Sequence, residues 1–477
     1  MKSSNREKSL LKNTTIISIG MVCTKMITFL LLPLYTAILT TKEYGIVDFL
    51  STLVSLSLPL VTFQIEQALF RELIEVRNDE EKIRGIISSG VLTVILQCLI
   101  FLLIFLIVSP FINSGYKYFL TTNVIAYIFS SLFLQISRGL GNNKKYAVGS
   151  FLSALSTIIF NVLFLVVIRL GANGMLLGTM LGQICGALYL FFSLKLYNYI
   201  SIKDYKKSTT KKLWKYSVPL IPNAISWWIF NASDRFIATA ILGVEQNGIL
   251  AASLKFATVY ITLYNIFNMS WTESISMAIK DDDLDDYFNK MFNIVMNLFI
   301  ALAIGIIAFM PFVFPIMINK NFQSGYGLVP ISIIASLFNV IVGLISVIYV
   351  GKKNTKAIAN TSIVSAIINI IVHLSLIRYI GLYAAVISTL LSFFTMSIYR
   401  IYDINKKYFK IKLNKKVILL TILTLFIVLY AYYKNNLILN IFSILITIVF
   451  AWLINKKSVS TIMNLLKKKI KNKRGVL

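Results

Sequence analysis

The sequence predicts an all-α integral membrane protein of about fourteen transmembrane helices, and three observations carry that expectation. Of 477 residues, 57% are hydrophobic and 14% charged, where soluble domains carry roughly a quarter charged residues. The apolar residues gather into long runs, most of them near the roughly 20 residues that a helix needs to cross a bilayer. The opening runs also return later in the chain. Thr36-Ala37-Ile38-Leu39 recurs as Thr239-Ala240-Ile241-Leu242, and Gly45-Ile46 as Gly248-Ile249, at a common offset of 203 residues. Gly141, Ala147, Gly171 and Thr179 then map onto Gly351, Ala357, Gly381 and Thr389 at an offset of 210. Self-similarity at a fixed offset marks an internal duplication.

Taken in order, the spans expected in the first copy are 13–39, 44–69, 85–109, 118–137, 147–168 and 173–194. Those in the second copy are 214–241, 248–277, 291–317, 327–350, 357–377 and 381–399, while 417–433 and 437–455 lie outside the duplication. In each copy a very short polar turn joins the first two spans. Alternate connections carry 38 Lys and Arg on one side and 6 on the other, which places both termini in the cytoplasm by the positive-inside rule. Six spans per copy is an even number, so both copies enter the membrane in the same sense, as parallel repeats. The expected organisation is an N-lobe over 1–196, a basic cytoplasmic linker over 197–213, a C-lobe over 214–407, two further spans over 408–457 and a basic cytoplasmic tail over 458–477.

Composition also excludes function classes. A net charge of +28 would suit nucleic acid, but the Lys and Arg lie in short clusters between apolar spans, so anionic lipid headgroups are the expected partner. The tail can form a basic amphipathic helix on an anionic leaflet, or a plain solvated segment. Cys23, Cys98 and Cys185 and the single His373 all fall within spans, so neither a disulfide framework nor a metal site is expected. The apolar run after Lys12 is too long for a cleavable signal. Asp281-Asp282-Asp283-Leu284-Asp285-Asp286 lacks the spaced ligands of a calcium loop and reads as a solvated turn. No catalytic residue and no cofactor is expected.

With the backbone satisfied inside helices, charges at membrane depth are the informative residues, each costing about 2.5–3.5 kcal/mol to insert. Lys25 lies twelve residues into the first expected span; it either lines a cavity or is neutralised by a partner within its lobe. Asp234 and Arg235 sit toward the outer end of span 7, within reach of the interface by snorkelling. Lys255 shares a helical stripe with Thr258, Thr262, Asn265, Met269 and Glu273. Under the 203-residue offset this stripe overlies Thr52, Ser55, Pro59, Thr62 and Glu66. Two duplicated helices with polar faces in one register suit a shared aqueous cleft. The expected site is therefore a cationic cleft of Lys25, Arg235 and Lys255. Asp234, Glu66, Glu273, Thr62, Thr258, Thr262 and Asn265 are polar or ion-coupling candidates, although interfacial or paired roles suit the carboxylates as well. Pro33, in the first span, is the expected hinge.

Pro33-Leu34 with Leu39, Glu43-Tyr44-Gly45 and Ala68-Leu69-Phe70-Arg71 resemble the opening of the polysaccharide and O-antigen repeat-unit flippases, the Wzx-type members of the multidrug/oligosaccharidyl-lipid/polysaccharide (MOP) exporter superfamily. Asp234-Arg235, Leu242-Gly243, Gly248 and Ala252 through Lys255 resemble their second repeat. The resemblance implies a MATE-like fold. It also implies a multi-pass protein of the bacterial plasma membrane that moves an undecaprenyl-pyrophosphate-linked oligosaccharide outward by alternating access, for capsule or other surface polysaccharide. Other assembly proteins and a coupling ion, H⁺ or Na⁺, would be its partners. Three cations in the cleft would suit the diphosphate. The alternatives are a MATE-type drug exporter, a lipid II flippase or, from another class, a membrane-embedded polymerase or transferase. Lys25→Ala is expected to cut export of surface glycan at least tenfold at unchanged protein level, measured by glycan staining and immunoblot; undiminished export would reduce Lys25 to a packing role.

Overall fold

The computed structural model describes residues 29–279, 281–352 and 354–474. Among these residues every regular element is helical, and twelve helices are long and apolar enough to cross a membrane. By internal packing the chain divides into one unit ending at Ala251 and another beginning at Ala252.

In the first unit, α1 (Leu32–Ile38) follows a one-residue interruption at Leu31, and Pro33 occupies its first turn, where a missing N–H leaves no helical bond unmade. The chain then turns sharply into α2 (Thr41–Thr62). The Thr40 hydroxyl accepts the Glu43 amide at 3.1 Å, while the Thr40 amide donates to the Glu43 carboxylate at 3.0 Å. This capping box satisfies two end groups at once. Pro59 removes one hydrogen bond inside α2, and the helix stops at Thr62 because Phe63 and Gln64 both take left-handed backbone angles, φ 49° and 62°. The run 44–69, expected as one span, is thus broken; α3 (Ile65–Glu75) resumes with an amphipathic pattern.

After α4 (Glu80–Val108) and α5 (Lys117–Gly139), the hairpin of α6 (Asn143–Val162) and α7 (Gly171–Ser193) closes on glycines four apart. A Cβ on Gly178 would stand 2.1 Å from Asn161 Oδ1, on Gly182 1.9 Å from Thr157 Oγ1, and on Gly186 2.7 Å from Ser153 Cβ. Without a hydrophobic drive between helices in lipid, such close backbone approach is a main source of adhesion. The basic linker is folded: α8 (Lys207–Ser217) buries Leu213. Lys212 pairs with Glu72 of α3, and the Ser89 hydroxyl of α4 accepts the Lys206 amide at 3.0 Å. α9 (Ile221–Leu242) then passes through Gly243 alone, φ 93°, into α10 (Val244–Ala278). Gly243 stands where the first copy has Thr40, so a glycine's positive φ makes the turn that a capping box makes in the first copy.

In the second unit α10 is followed by α11 (Leu284–Met317), α12 (Leu328–Gly351), α13 (Thr355–Ile380) and α14 (Tyr383–Lys407). Serines hold α13 to α14 where glycines serve in the first unit. Ser365 donates to the Ser392 carbonyl and Ser392 to the Ser365 carbonyl, each at 3.0 Å. α14 runs past its expected end at 399, which places Arg400 inside a helix and not in a connection. It is 2% exposed, and its guanidinium donates to Ser346 of α12, to Thr361 and Ser362 of α13 and to the Ile358 carbonyl. α15 (Lys415–Lys434) and α16 (Leu437–Arg474) pack on α11. One row of asparagines ties α11 to the segment leading into α15 and to α16: Asn289 donates to the Lys410 carbonyl at 3.1 Å, Asn293 to that of Lys412 at 2.8 Å and Asn297 to that of Ile454 at 3.1 Å. α16 continues unbroken from the last span into the basic tail.

Gly182→Leu is expected to lower stability by about 1–3 kcal/mol or more, the cost of overfilling a close contact. The readout is the midpoint of heat-induced aggregation in detergent. Gly305→Leu, where a Cβ meets nothing within 4 Å, should leave that midpoint within error.

Candidate functional site: the crossing of the duplicated helices

The two glycines that mark the duplication touch one another. An ideal Cβ on Gly45 would fall 1.9 Å from the Val244 carbonyl oxygen and 2.9 Å from the Gly248 nitrogen. One on Gly248 would fall 2.0 Å from the Thr41 oxygen and 2.9 Å from the Gly45 nitrogen. Thr41 and Val244 are themselves repeat mates at the 203-residue offset. The first turns of α2 and α10 therefore cross backbone against backbone about a local two-fold relation, a contact that no residue with a side chain permits.

Asymmetric polar groups decorate this symmetric crossing. Thr41 Oγ1 donates to Glu245 Oε1 at 3.0 Å, and Asn247 Nδ2 donates to the Gly45 carbonyl at 3.1 Å and to Asp48 Oδ2 at 3.4 Å. The other Asp48 oxygen stands 3.3 Å from the Arg235 guanidinium of α9. Asp48 is 9% exposed and the Arg235 side chain 26%. A carboxylate so enclosed needs both its cation and its amide donor, because an unpaired charge in this setting costs several kcal/mol. Carboxylates in the first turns, Glu43 and Glu245, also oppose the positive ends of the two helix dipoles. One turn farther along α2, Trp228 Nε1 donates to the Thr52 carbonyl at 3.0 Å, and Phe49 and Phe236 rings meet at 6.0 Å. α9 is thereby keyed along the polar face of α2.

The structure distributes the expected site residues as follows. Arg235 is engaged by Asp48, and Asp234 beside it is half-buried. Lys255 and Glu273 are half-buried on α10, Thr258 and Asn265 are exposed, and buried Thr262 returns its hydroxyl to the Thr258 carbonyl at 2.7 Å. Thr62 and Glu66 line no open surface: both are about 2% exposed, because the break at Phe63 and Gln64 turns that part of the stripe into the first unit. Lys25 lies outside the described residues. Asn247 and Arg400 were missed by the sequence reading. Asn247 precedes the repeated glycine at a position where the first copy has Tyr44, and Arg400 stands seven residues before the end of its helix, with its Ser and Thr partners on α12 and α13; the first context was the available signal. Among the described residues no cluster of His, Cys, Asp and Glu is arranged to hold a metal.

Comparisons with known proteins agree with this architecture. An inward-facing multidrug resistance MATE family transporter of the MOP superfamily superposes with a TM-score of 0.61 at 11% identity, covering 81% of this chain and 98% of the other. The lipid II flippase MurJ, in an inward closed conformation, gives 0.59 at 14% identity over 93% and 99%. A Pyrococcus furiosus MOP superfamily transporter, described as having a binding pocket of reverse polarity, gives 0.55 at 14% over 83% and 96%. At such identities the likeness shows the fold, which is MATE/MOP-like. No curated protein matches the sequence. The family described as "Polysaccharide biosynthesis protein" matches residues 10–272, more than half of the chain, and the chain belongs to that family.

Proposed function

We propose that this protein is a flippase that carries an undecaprenyl-pyrophosphate-linked oligosaccharide from the cytoplasmic to the outer leaflet of a bacterial plasma membrane, for capsule or other surface polysaccharide. The family match over residues 10–272 carries the reading, and the fold shared with the lipid II flippase supports it. On the expected repeat boundaries α2 and α10 belong to different lobes. Alternating access would then part Gly45 from Gly248 and separate the lobes at this end. Parting them breaks the Thr41–Glu245 and Asn247–Asp48 bonds. It also loosens Asp48 from Arg235, so the guanidinium becomes available to a diphosphate just as the path opens. Lys25 and Lys255 are the other cations proposed for that path. The polyprenyl chain stays in lipid, and energy comes from an H⁺ or Na⁺ gradient. Anionic lipids and other assembly proteins are its proposed partners.

The test of the function is deletion of the gene followed by leaflet-resolved analysis of lipid-linked repeat units. Accumulation in the inner leaflet with loss of surface glycan is expected, whereas normal glycan with altered drug sensitivity would transfer the reading to a drug exporter. For the crossing, Thr41→Cys with Glu245→Cys, in a chain with Cys23, Cys98 and Cys185 replaced by Ser, should cross-link under mild oxidation. Export should fall at least tenfold and recover on reduction. Wild-type export by the cross-linked protein would show that this crossing stays shut throughout the cycle.

A further inference from the structure

The break between α2 and α3 leaves two buried oxygen atoms whose chemistry is complementary. Because Phe63 and Gln64 leave the helical conformation, the Thr62 carbonyl loses its helical donor, and Gln97 of α4 supplies one: Gln97 Nε2 donates to the Thr62 oxygen at 3.2 Å. The Thr62 hydroxyl donates to the Leu58 carbonyl at 2.8 Å and accepts the Gln64 amide at 3.2 Å. Glu66 sits one turn beyond, in the first turn of α3. Two atoms at this junction then have no hydrogen-bond partner among the described residues: Gln97 Oε1 and Glu66 Oε2. Both residues are buried, Glu66 to 2% exposure and Gln97 to 7%, beside fully buried Ile65, Leu69 and Val94.

No described cation answers the Glu66 carboxylate. α3 packs against α4, α5 and α8. From α5 the guanidinium of Arg138 lies 4.6 Å from the centre of the Phe70 ring, and from α8 Lys212 is taken by Glu72 while Lys211 and Lys215 are exposed. α4 offers Gln97 and the thiol of Cys98 at this level, and its charges, Glu80, Glu81, Lys82 and Arg84, lie in its first turns. An ionised carboxylate here would be a buried charge without a counter-ion among the described residues, whereas the neutral acid carries one O–H donor and Gln97 one acceptor in want of a donor.

We propose that Glu66 is a proton-binding site, its acid O–H directed to Gln97 Oε1, and that the bound proton clamps α3 to α4 across the helix break. Loss of the proton puts an uncompensated charge into the core of the first unit and removes the clamp. The two left-handed residues between α2 and α3 are then the place where the chain changes direction. Proton occupancy thereby sets the angle between the span that carries Gly45 and the helix that follows it. That this exchange couples to cargo movement rests on the transport reading above; the proton itself does not.

The experiment uses the purified full chain and infrared difference spectroscopy between neutral and strongly alkaline pH. A carboxylic-acid C=O band is expected at neutral pH, absent in Glu66→Gln, unaffected in Glu72→Gln, and shifted but still present in Gln97→Leu. Glu66→Gln keeps shape and a donor toward Gln97, so its heat-induced aggregation midpoint should match the wild type. Superimposable spectra of wild type and Glu66→Gln would overturn the proposal, since no exchangeable proton is then held at Glu66. In vesicles containing lipid-linked oligosaccharide, Glu66→Gln should translocate with its dependence on a pH gradient reduced at least tenfold. Full gradient dependence in that variant would overturn the coupling while the band stood. Absence of translocation by the wild type itself would strike the transport reading and leave the band untouched.

Discussion

Backbone contact between Gly45 and Gly248 is the constraint on which the site depends. Helix termini in this fold carry carboxylates, amides and a guanidinium within a few ångströms of one another, and such groups are brought together only if the helices bearing them approach with nothing between. A single methyl group at either glycine would overlap a carbonyl oxygen of the other copy. The resulting contact also brings Cα hydrogens against carbonyl oxygens, a weak attraction that recurs where helices cross this closely. The polar groups are then an elaboration of a steric fact, and they differ between the copies because each copy was free to place its own side chains around a shared backbone geometry.

The same division between conserved geometry and divergent chemistry runs through the rest of the chain. In the first unit α6 and α7 adhere through glycines, whereas in the second α13 and α14 adhere through a reciprocal pair of serine hydroxyls. One turn is made by a Thr–Glu capping box and its counterpart by a left-handed glycine. Both solutions satisfy the demand that backbone groups in lipid be paired or packed away. Charge follows a similar rule. Arg400 is tolerated at near-complete burial because three hydroxyls and a carbonyl surround it, and Asp48 because it holds both an arginine and an amide.

Helical class, the duplication and most spans were legible in the sequence, since hydrophobic length and a fixed offset are properties of the chain itself. The register of Gly45 and Gly248 was legible as well, but not that they meet, because an offset specifies equivalence and not contact. Arg235 stood out as a charge at depth, yet its partner Asp48 did not; pairing between helices nearly 190 positions apart leaves no local trace. The break after Thr62 was hidden for a different reason. Left-handed angles at Phe63 and Gln64 run against the intrinsic preference of residues with side chains, so composition gave no notice of them. Arg400 was assigned to a loop because hydropathy falls off before the helix does.

The asparagine row on α11 has a consequence for how the protein is made. Asn289, Asn293 and Asn297 find their acceptors 121, 119 and 157 residues later in the chain. At roughly 5–20 residues per second of synthesis, α11 must wait on the order of ten seconds in the membrane with the Asn297 amide unmatched, whereas Asn289 and Asn293 also donate to carbonyls of their own helix, those of Asp285 at 2.8 Å and Asn289 at 2.7 Å. During that interval the Asn297 amide needs water, an insertase or lipid headgroups to receive it, and the arrival of the last helix, which brings the Ile454 carbonyl, is what releases the nascent chain from that dependence.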